Sequence, residues 1–166
     1  MPPRLLVEYQ HLDFDNPLID IEGIRELLPQ RYEMEQLTAV VHVDEEEGGR
    51  IVGYRDVRDD EFWVRGHLPE RPLVPGVVLC EMGAQLAAVL EARLDTGTNW
   101  DTHFRGFAGL EGVKFRRAVV PGDRIVLLGK CGKFTRRLST VFTQGFVNDK
   151  LAFEATIHGS VMPRTS

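Results

Sequence analysis

One segment of the chain stands apart by its pattern. Val77, Val78, Leu79, Met82, Ala84, Leu86, Ala87, Ala88, Val89 and Leu90 occupy every side of a 3.6-residue spiral, so residues 77–94 are predicted to form a helix buried on all faces. Pro75 and Gly76 suit its start, because proline is tolerated in a first helical turn. At ~1.5 Å per residue the helix spans about 27 Å, enough to run through a small domain.

The remaining apolar positions read mostly as strands. Residues 37–43 and 51–57 are rich in β-branched side chains and flank a charged, glycine-containing loop at 44–50, the pattern of a hairpin. Residues 62–65 are strand-like, and strands are predicted again at 113–119, 124–130, 138–147 and 151–159. Pro121-Gly122-Asp123 and Asn148-Asp149 supply turns, while 95–106 reads as a polar connection. The final strand is the clearest, because Leu151, Phe153, Ala155 and Ile157 alternate with Ala152, Glu154, Thr156 and His158. Ahead of the strands, Ile21, Ile24, Leu27 and Leu28 recur at helical spacing after an N-capping Asp20 and before Pro29. The first sixteen residues look like an irregular extension laid over the surface. We therefore expect an extension at 1–19 and one α+β domain at 20–162, a curved antiparallel sheet wrapped around a long central helix.

Composition narrows the class. The chain has 166 residues, 43% of them hydrophobic and 27% charged, which suits one folded domain of ordinary solubility. Cys80 and Cys131 are the only cysteines and belong to no metal-binding spacing, so a reducing cytoplasm is expected, with neither a disulfide framework nor a metal. The apolar run near the N-terminus is too short for a signal peptide, and no uninterrupted apolar stretch reaches the ~20 residues of a membrane span. Charge is uneven: residues 1–66 carry seven Lys/Arg against sixteen Asp/Glu, whereas 111–137 carry eight against two. Overall acidity disfavours nucleic acid; the basic segment is either a solvated face or a site for an acidic partner.

Within the predicted buried helix, Glu81 and Gln85 are polar and one turn apart on the same face. An unpaired carboxylate removed from water has its pKa raised, the property of a general acid near neutral pH; the bland alternative is an ion pair or a solvent-facing side chain. His67 lies in a loop stiffened by Gly66, Pro69, Pro72, Pro75 and Gly76, where a neutral imidazole can take a proton, although a lone loop histidine is weak grounds for catalysis. The N–H groups of Gly76 and Val77, at the positive end of the helix, suit a developing oxyanion. His11, His42, His103 and His158 read as structural or surface residues, and no Gly-x-Ser-x-Gly or P-loop pattern occurs.

The stretch Gly66-His67-Leu68-Pro69-Glu70-Arg71-Pro72-Leu73-Val74-Pro75-Gly76-Val77, followed by Glu81-Met82-Gly83-Ala84-Gln85, resembles the signature of the 3-hydroxyacyl-acyl carrier protein dehydratases of type II fatty acid synthesis. The resemblance extends to residues 24–32, Phe107-Ala108-Gly109, residues 113–123 and the last strand, roughly 20–160 in all. It implies a cytoplasmic hot-dog fold enzyme without cofactor or metal, a homodimer often assembled as three dimers, with His67 and Glu81 of one site supplied by different subunits. It further implies His67 as the base at C2 of the substrate, Glu81 as the acid at the departing hydroxyl, and an amide at Gly76 on the thioester carbonyl, with Gln85 in support. Glu rather than Asp at position 81 resembles the branch that dehydrates without isomerising. An acidic acyl carrier protein is the implied partner of the basic segment, with Arg116 and Arg117 its first contacts.

The sequence departs from that pattern in places. Gln30 stands where the family usually has His, residues 33–36 replace an apolar stretch, Leu68 and Glu70 alter the usual Gly-His-Phe-Pro-Gly, and residues 96–101 are polar. These departures bear on the tunnel entrance and on substrate choice. Two other readings stay open: a hot-dog thioesterase, and a catalytically silent acyl-binding or scaffold relative.

Overall fold

The computed structural model describes residues 4–46, 48–95 and 97–165. Parts of the N-terminal stretch, the acidic loop and the polar connection read above, namely residues 1–3, Glu47 and Thr96, lie outside the described residues, as does Ser166.

Asp20 caps helix α1 (Ile21–Leu27) by accepting from the Gly23 N–H at 3.0 Å, as its position in the sequence predicts. A single 3-10 turn follows at Tyr32–Met34. Strands β1 (Ala39–Asp44) and β2 (Arg50–Asp56) form the expected hairpin, and helix α2 runs from Gly76 to Leu94. Strands β3 (His103–Phe115), β4 (Arg124–Phe134), β5 (Leu138–Val147) and β6 (Lys150–Pro163) complete one antiparallel sheet in the order β1-β2-β4-β5-β6-β3.

The core lies between α2 and one face of the sheet, where Met82, Leu86, Val89 and Leu90 meet Ile51, Ile125, Leu127, Val141 and Phe153. Close approach explains the small residues. A Cβ on Gly83 would sit 3.1 Å from Thr143 Oγ1 and 3.2 Å from the Phe153 ring, and one on Gly53 would meet Leu86 at 2.8 Å. Two turns follow their residues: Asn148 and Asp149 both have positive φ in the two-residue β5–β6 hairpin, and Gly122 (φ 95°) follows Pro121 in a turn closed by Asp123 N–H to Val120 O at 3.1 Å.

The N-terminal segment does more than lie on the surface. It buries Val7 and Tyr9 against Val52, Leu128, Phe146 and Leu151, forming a second apolar layer apart from the α2 core. Tyr9 Oη donates to Asp149 Oδ1 at 2.7 Å, and Gln144 clamps the segment by accepting from Leu6 N–H and donating to Arg4 O, both at 3.0 Å.

Two sequence expectations need correction. Residues 62–65 are a run of turns, with Val64 N–H bonded to Glu61 O and Gly66 N–H to Trp63 O. Trp63 is buried as an anchor of that run and not as a strand residue. The strand expected at 113–119 begins ten residues earlier and ends at Phe115, so the polar connection is correspondingly shorter. Residues 103–112 escape a pattern reading because β3 is an edge strand held by backbone bonding to β6, with irregular register around Gly109 and between Glu111 and Lys114. Its side chains therefore do not alternate cleanly between core and solvent.

Candidate active site

The loop carrying His67 is pinned at both ends. His67 N–H bonds to Trp63 O at 2.8 Å, Leu73 N–H to His67 O at 2.9 Å, and Val74 N–H to Val119 O at 2.8 Å. Between them Leu68 and Arg71 exchange backbone hydrogen bonds of 3.2 and 3.0 Å. The His67–Leu68 peptide is cis, and Glu70 adopts φ 64°, the left-handed region that favours the glycine usual there in the resembled family. The imidazole Nδ1 lies 2.9 Å from Leu73 O. A carbonyl only accepts, so Nδ1 carries a proton, and in the neutral ring the lone pair is on Nε2.

Glu81 is half-buried on α2, and no lysine or arginine pairs with it among the described residues. Gln85 Nε2 donates to Glu81 Oε1 at 2.7 Å and to Met34 O at 2.6 Å, while Gln85 Oε1 accepts from Gln36 N–H at 2.9 Å. One amide, 2% exposed, thus ties the carboxylate to the 32–36 turn, the segment that departs from the family pattern. Glu81 lines a narrow cleft of about 40 Å³ together with Gln30, Ala84, Ala88, Phe107 and Ile157, and Gln30 Oε1 is buried there without a partner. His67 does not line this cleft.

At the start of α2, Pro75 O accepts from Val78 and Leu79 N–H at 2.9 and 3.2 Å. The N–H groups of Gly76 and Val77 have no acceptor among the described residues, as the first-turn donors of a helix require. Glycine at 76 has a specific cause: a Cβ would stand 2.6 Å from the Phe115 ring. Val77 is 77% exposed.

Further along the same helix is a carboxylate that the sequence reading passed over. Glu91 is 1% exposed, accepts from the Ser139 hydroxyl, and lies 3.3 Å from Arg105 Nε. Burial pushes its carboxyl up, against the opposing pull of Ser139 and Arg105. Arg105, whose side chain is 3% exposed, donates to Asp95 at 3.0 Å and is flanked by the rings of Trp100 and Phe134. A signal was present, since residues 81, 84, 88 and 91 repeat at the three-four-three spacing of a single helical stripe.

Of the two arginines expected at a carrier surface, both are exposed on the strand end after Phe115, with their N–H groups bonded to Ala152 O. Arg116 is ion-paired with Glu154 at 2.7 Å; Arg117 has no such pair among the described residues. Cys80 and Cys131 are unpaired thiols, and no cluster of three His, Cys, Asp or Glu side chains among the described residues is placed to hold a metal. No helix among the described residues is long and apolar enough to cross a membrane.

A six-stranded antiparallel sheet around one long helix, with a carboxylate and its amide partner on that helix, defines the class as a hot-dog fold. Solved structures agree on the fold. The dehydratase heterocomplex ApeI:P from Xenorhabdus doucetiae superposes with a TM-score of 0.69 at 15% identity, covering 86% of this chain and 92% of that one. A putative thioesterase from Lactococcus lactis gives 0.60 at 12%, covering 78% and 94%. Residues 28–156 match the FabA-like domain. Over 140 residues, 84% of this chain and 96% of theirs, the sequence is 38% identical to the 3-hydroxyacyl-[acyl-carrier-protein] dehydratase FabZ of Streptococcus agalactiae and 36% identical to that of Streptococcus sanguinis. The chain belongs to the FabA-like family, within its FabZ-like dehydratases.

Proposed function

We propose that the chain converts (3R)-3-hydroxyacyl-acyl carrier protein to the trans-2-enoyl thioester, a reaction of fatty acid biosynthesis, with His67 as base and Glu81 as acid. The observation that carries this is the Nδ1 contact of His67 with Leu73 O, which in the neutral ring leaves the Nε2 lone pair free to take a proton. His67 Nε2 takes the C2 proton while the Gly76 and Val77 amides hold the thioester oxygen. The C2 electron pair closes the double bond to C3. The C3–O bond breaks as that double bond forms, its electron pair leaving with the oxygen, and Glu81 supplies the proton that lets the hydroxyl leave as water. Gln85 positions the Glu81 carboxylate and touches no reacting atom.

His67 does not line the cleft that holds Glu81, and in the resembled family the two side chains of a site come from different subunits, so this reading takes His67 from a second copy. The edge strand β3 supports that assembly: it is thirteen residues long, unpaired on one side, and exposes Phe107, Leu110 and Phe115, a combination that invites pairing with another chain. A homodimer is the smallest assembly the reading needs, and the resembled family's trimer of dimers extends it. An acyl carrier protein is the acidic partner, with Arg117 ahead of Arg116 as its contact because Glu154 neutralises the latter.

The test follows ultraviolet absorbance of the enoyl thioester during hydration of trans-2-enoyl-acyl carrier protein. His67→Ala and Glu81→Gln each abolish turnover while retaining the fold. Mixing the two inactive variants and re-forming dimers restores about a quarter of wild-type activity, since half the dimers are mixed and each holds one intact site. No recovery on mixing sinks the shared site, and an inactive wild type that releases free thiol replaces dehydration with thioester hydrolysis.

A further inference from the structure

The cleft that begins at Glu81 does not end in an apolar wall. It passes Ala84, Ala87 and Ala88, side chains too small to fill it, and reaches Glu91 and Arg105. These two are among the most deeply buried charged side chains of the fold, and their hydrogen bonding is incomplete. Ser139 satisfies one Glu91 oxygen, and Asp95 satisfies one Arg105 nitrogen. Arg105 Nη1 has no partner among the described residues, and Nε approaches Glu91 Oε2 at 3.3 Å without hydrogen-bond alignment. Gly159 packs directly against the pair, since a Cβ there would stand 2.6 Å from Ser139 Oγ and 2.9 Å from Glu91 Oε2. A buried guanidinium with an idle donor costs free energy unless something accepts from it.

We propose that the far end of this cleft binds a neutral oxygen function on the distal part of the acyl chain, a hydroxyl in particular, between Arg105 and Glu91. This deepens the dehydratase reading and rests on it for the placement of the thioester near Glu81. A hydroxyl fits both partners, since it accepts from Nη1 and donates to Glu91 Oε2. A carboxylate does not, because Glu91 and Asp95 already set two acids against the single arginine. Position follows from helix geometry. Ten residues separate Glu81 from Glu91, a rise of about 15 Å, and an extended alkyl chain with C–C bonds near 1.5 Å advances about 1.25 Å per bond. The hydroxyl therefore falls about twelve bonds beyond C3.

The experiment compares three 3-hydroxyacyl pantetheine thioesters of equal chain length, ending in methyl, hydroxyl or carboxylate about twelve bonds past C3, on the full chain. The hydroxyl-ended substrate is expected to exceed the methyl-ended one in kcat/KM by on the order of tenfold, and the carboxylate-ended one to show no such gain. In the double variant Glu91→Leu/Arg105→Met, which removes the pair together so that neither charge is stranded, the ratio falls to one or below. Taking the ratio within each protein cancels any general loss of activity. Calorimetric binding of the corresponding unreactive thioethers is read alongside. A hydroxyl preference in binding without turnover keeps this proposal and sinks the dehydration reading. Turnover with equal preference for methyl and hydroxyl ends in the wild type overturns this proposal alone, whether or not the double variant folds, and a carboxylate preference overturns it equally.

Discussion

Replacing Gln85 by leucine separates what this amide does for the fold from what it does for Glu81. The native side chain makes three hydrogen bonds, two of them to backbone groups of the 32–36 segment. Leucine fills most of the same space and leaves the N–H of Gln36, a residue 1% exposed, without an acceptor. An orphaned buried donor costs about 1–3 kcal/mol, so a loss of about 2 kcal/mol is expected once the weaker loss at the half-open Met34 carbonyl is added. For a chain of this size that lowers Tm by roughly 5 °C. Glu81 meanwhile loses the donor that fixes its rotamer, and misplacement of a catalytic group by about 1 Å costs up to ~100-fold in rate. The drop is expected in kcat, with KM little changed, when enoyl-carrier hydration is followed by absorbance. Gln85→Glu provides the contrast: it restores an acceptor for Gln36 but replaces the donor to Glu81 with a second carboxylate, so kcat is expected to stay low while much of the lost Tm returns. Gln85→Leu with unchanged Tm and unchanged kcat would refute the positioning role and the connection to the 32–36 turn together.

Other outcomes follow from single features. Gly76→Ala places a Cβ against the Phe115 ring at 2.6 Å and is expected to cut activity at least tenfold while costing about 1–3 kcal/mol in a denaturant melt. Tyr9→Ala opens the outer layer of the sheet and removes the bond to Asp149; about 3 kcal/mol of stability is lost, with kcat retained because this layer lies apart from the α2 core. Glu70→Gly relieves a left-handed backbone at φ 64° and raises stability by up to about 1 kcal/mol in the same melt. Hydrogen bonding from Arg25 holds the Glu35 carboxyl below the usual carboxylate range. Because the folded value is the depressed one, the stabilisation is present above the unfolded pKa of about 4.3 and lost as pH falls through the folded value; Glu35→Gln should flatten that acid-side slope in melts taken from pH 6 downward.

Legibility from sequence tracked how strongly burial imposes a period. Helix α2 and strand β6 were readable because both meet the core and their side chains carry the signature of it. Residues 103–112 were not, since an edge strand with register shifts takes its shape from the backbone of β6 and from whatever covers its free side. The run 62–65 misled for a related reason: Trp63 and Val64 are apolar as anchors of a turn beneath the histidine loop, and a short apolar run does not by itself distinguish the two uses.

The helix shows how the same criterion both found and missed chemistry. Glu81 and Gln85 stood out because polar residues interrupt an all-apolar surface. Glu91 did not stand out, because it lies beside Arg93 near the helix end, where the apolar pattern thins and charge is ordinary. In the structure that end is not solvated on the Glu91 side, since Ser139, Arg105 and the glycine of β6 close over it. Only the stripe joining 81, 84, 88 and 91 connects the two carboxylates, and its meaning depends on β3, the strand the pattern did not reveal. A charged pair at the inner end of that narrow cleft is costly to keep for packing alone, because apolar side chains of the same volume would close the fold at least as well. That cost is the physical reason to look for a ligand atom there.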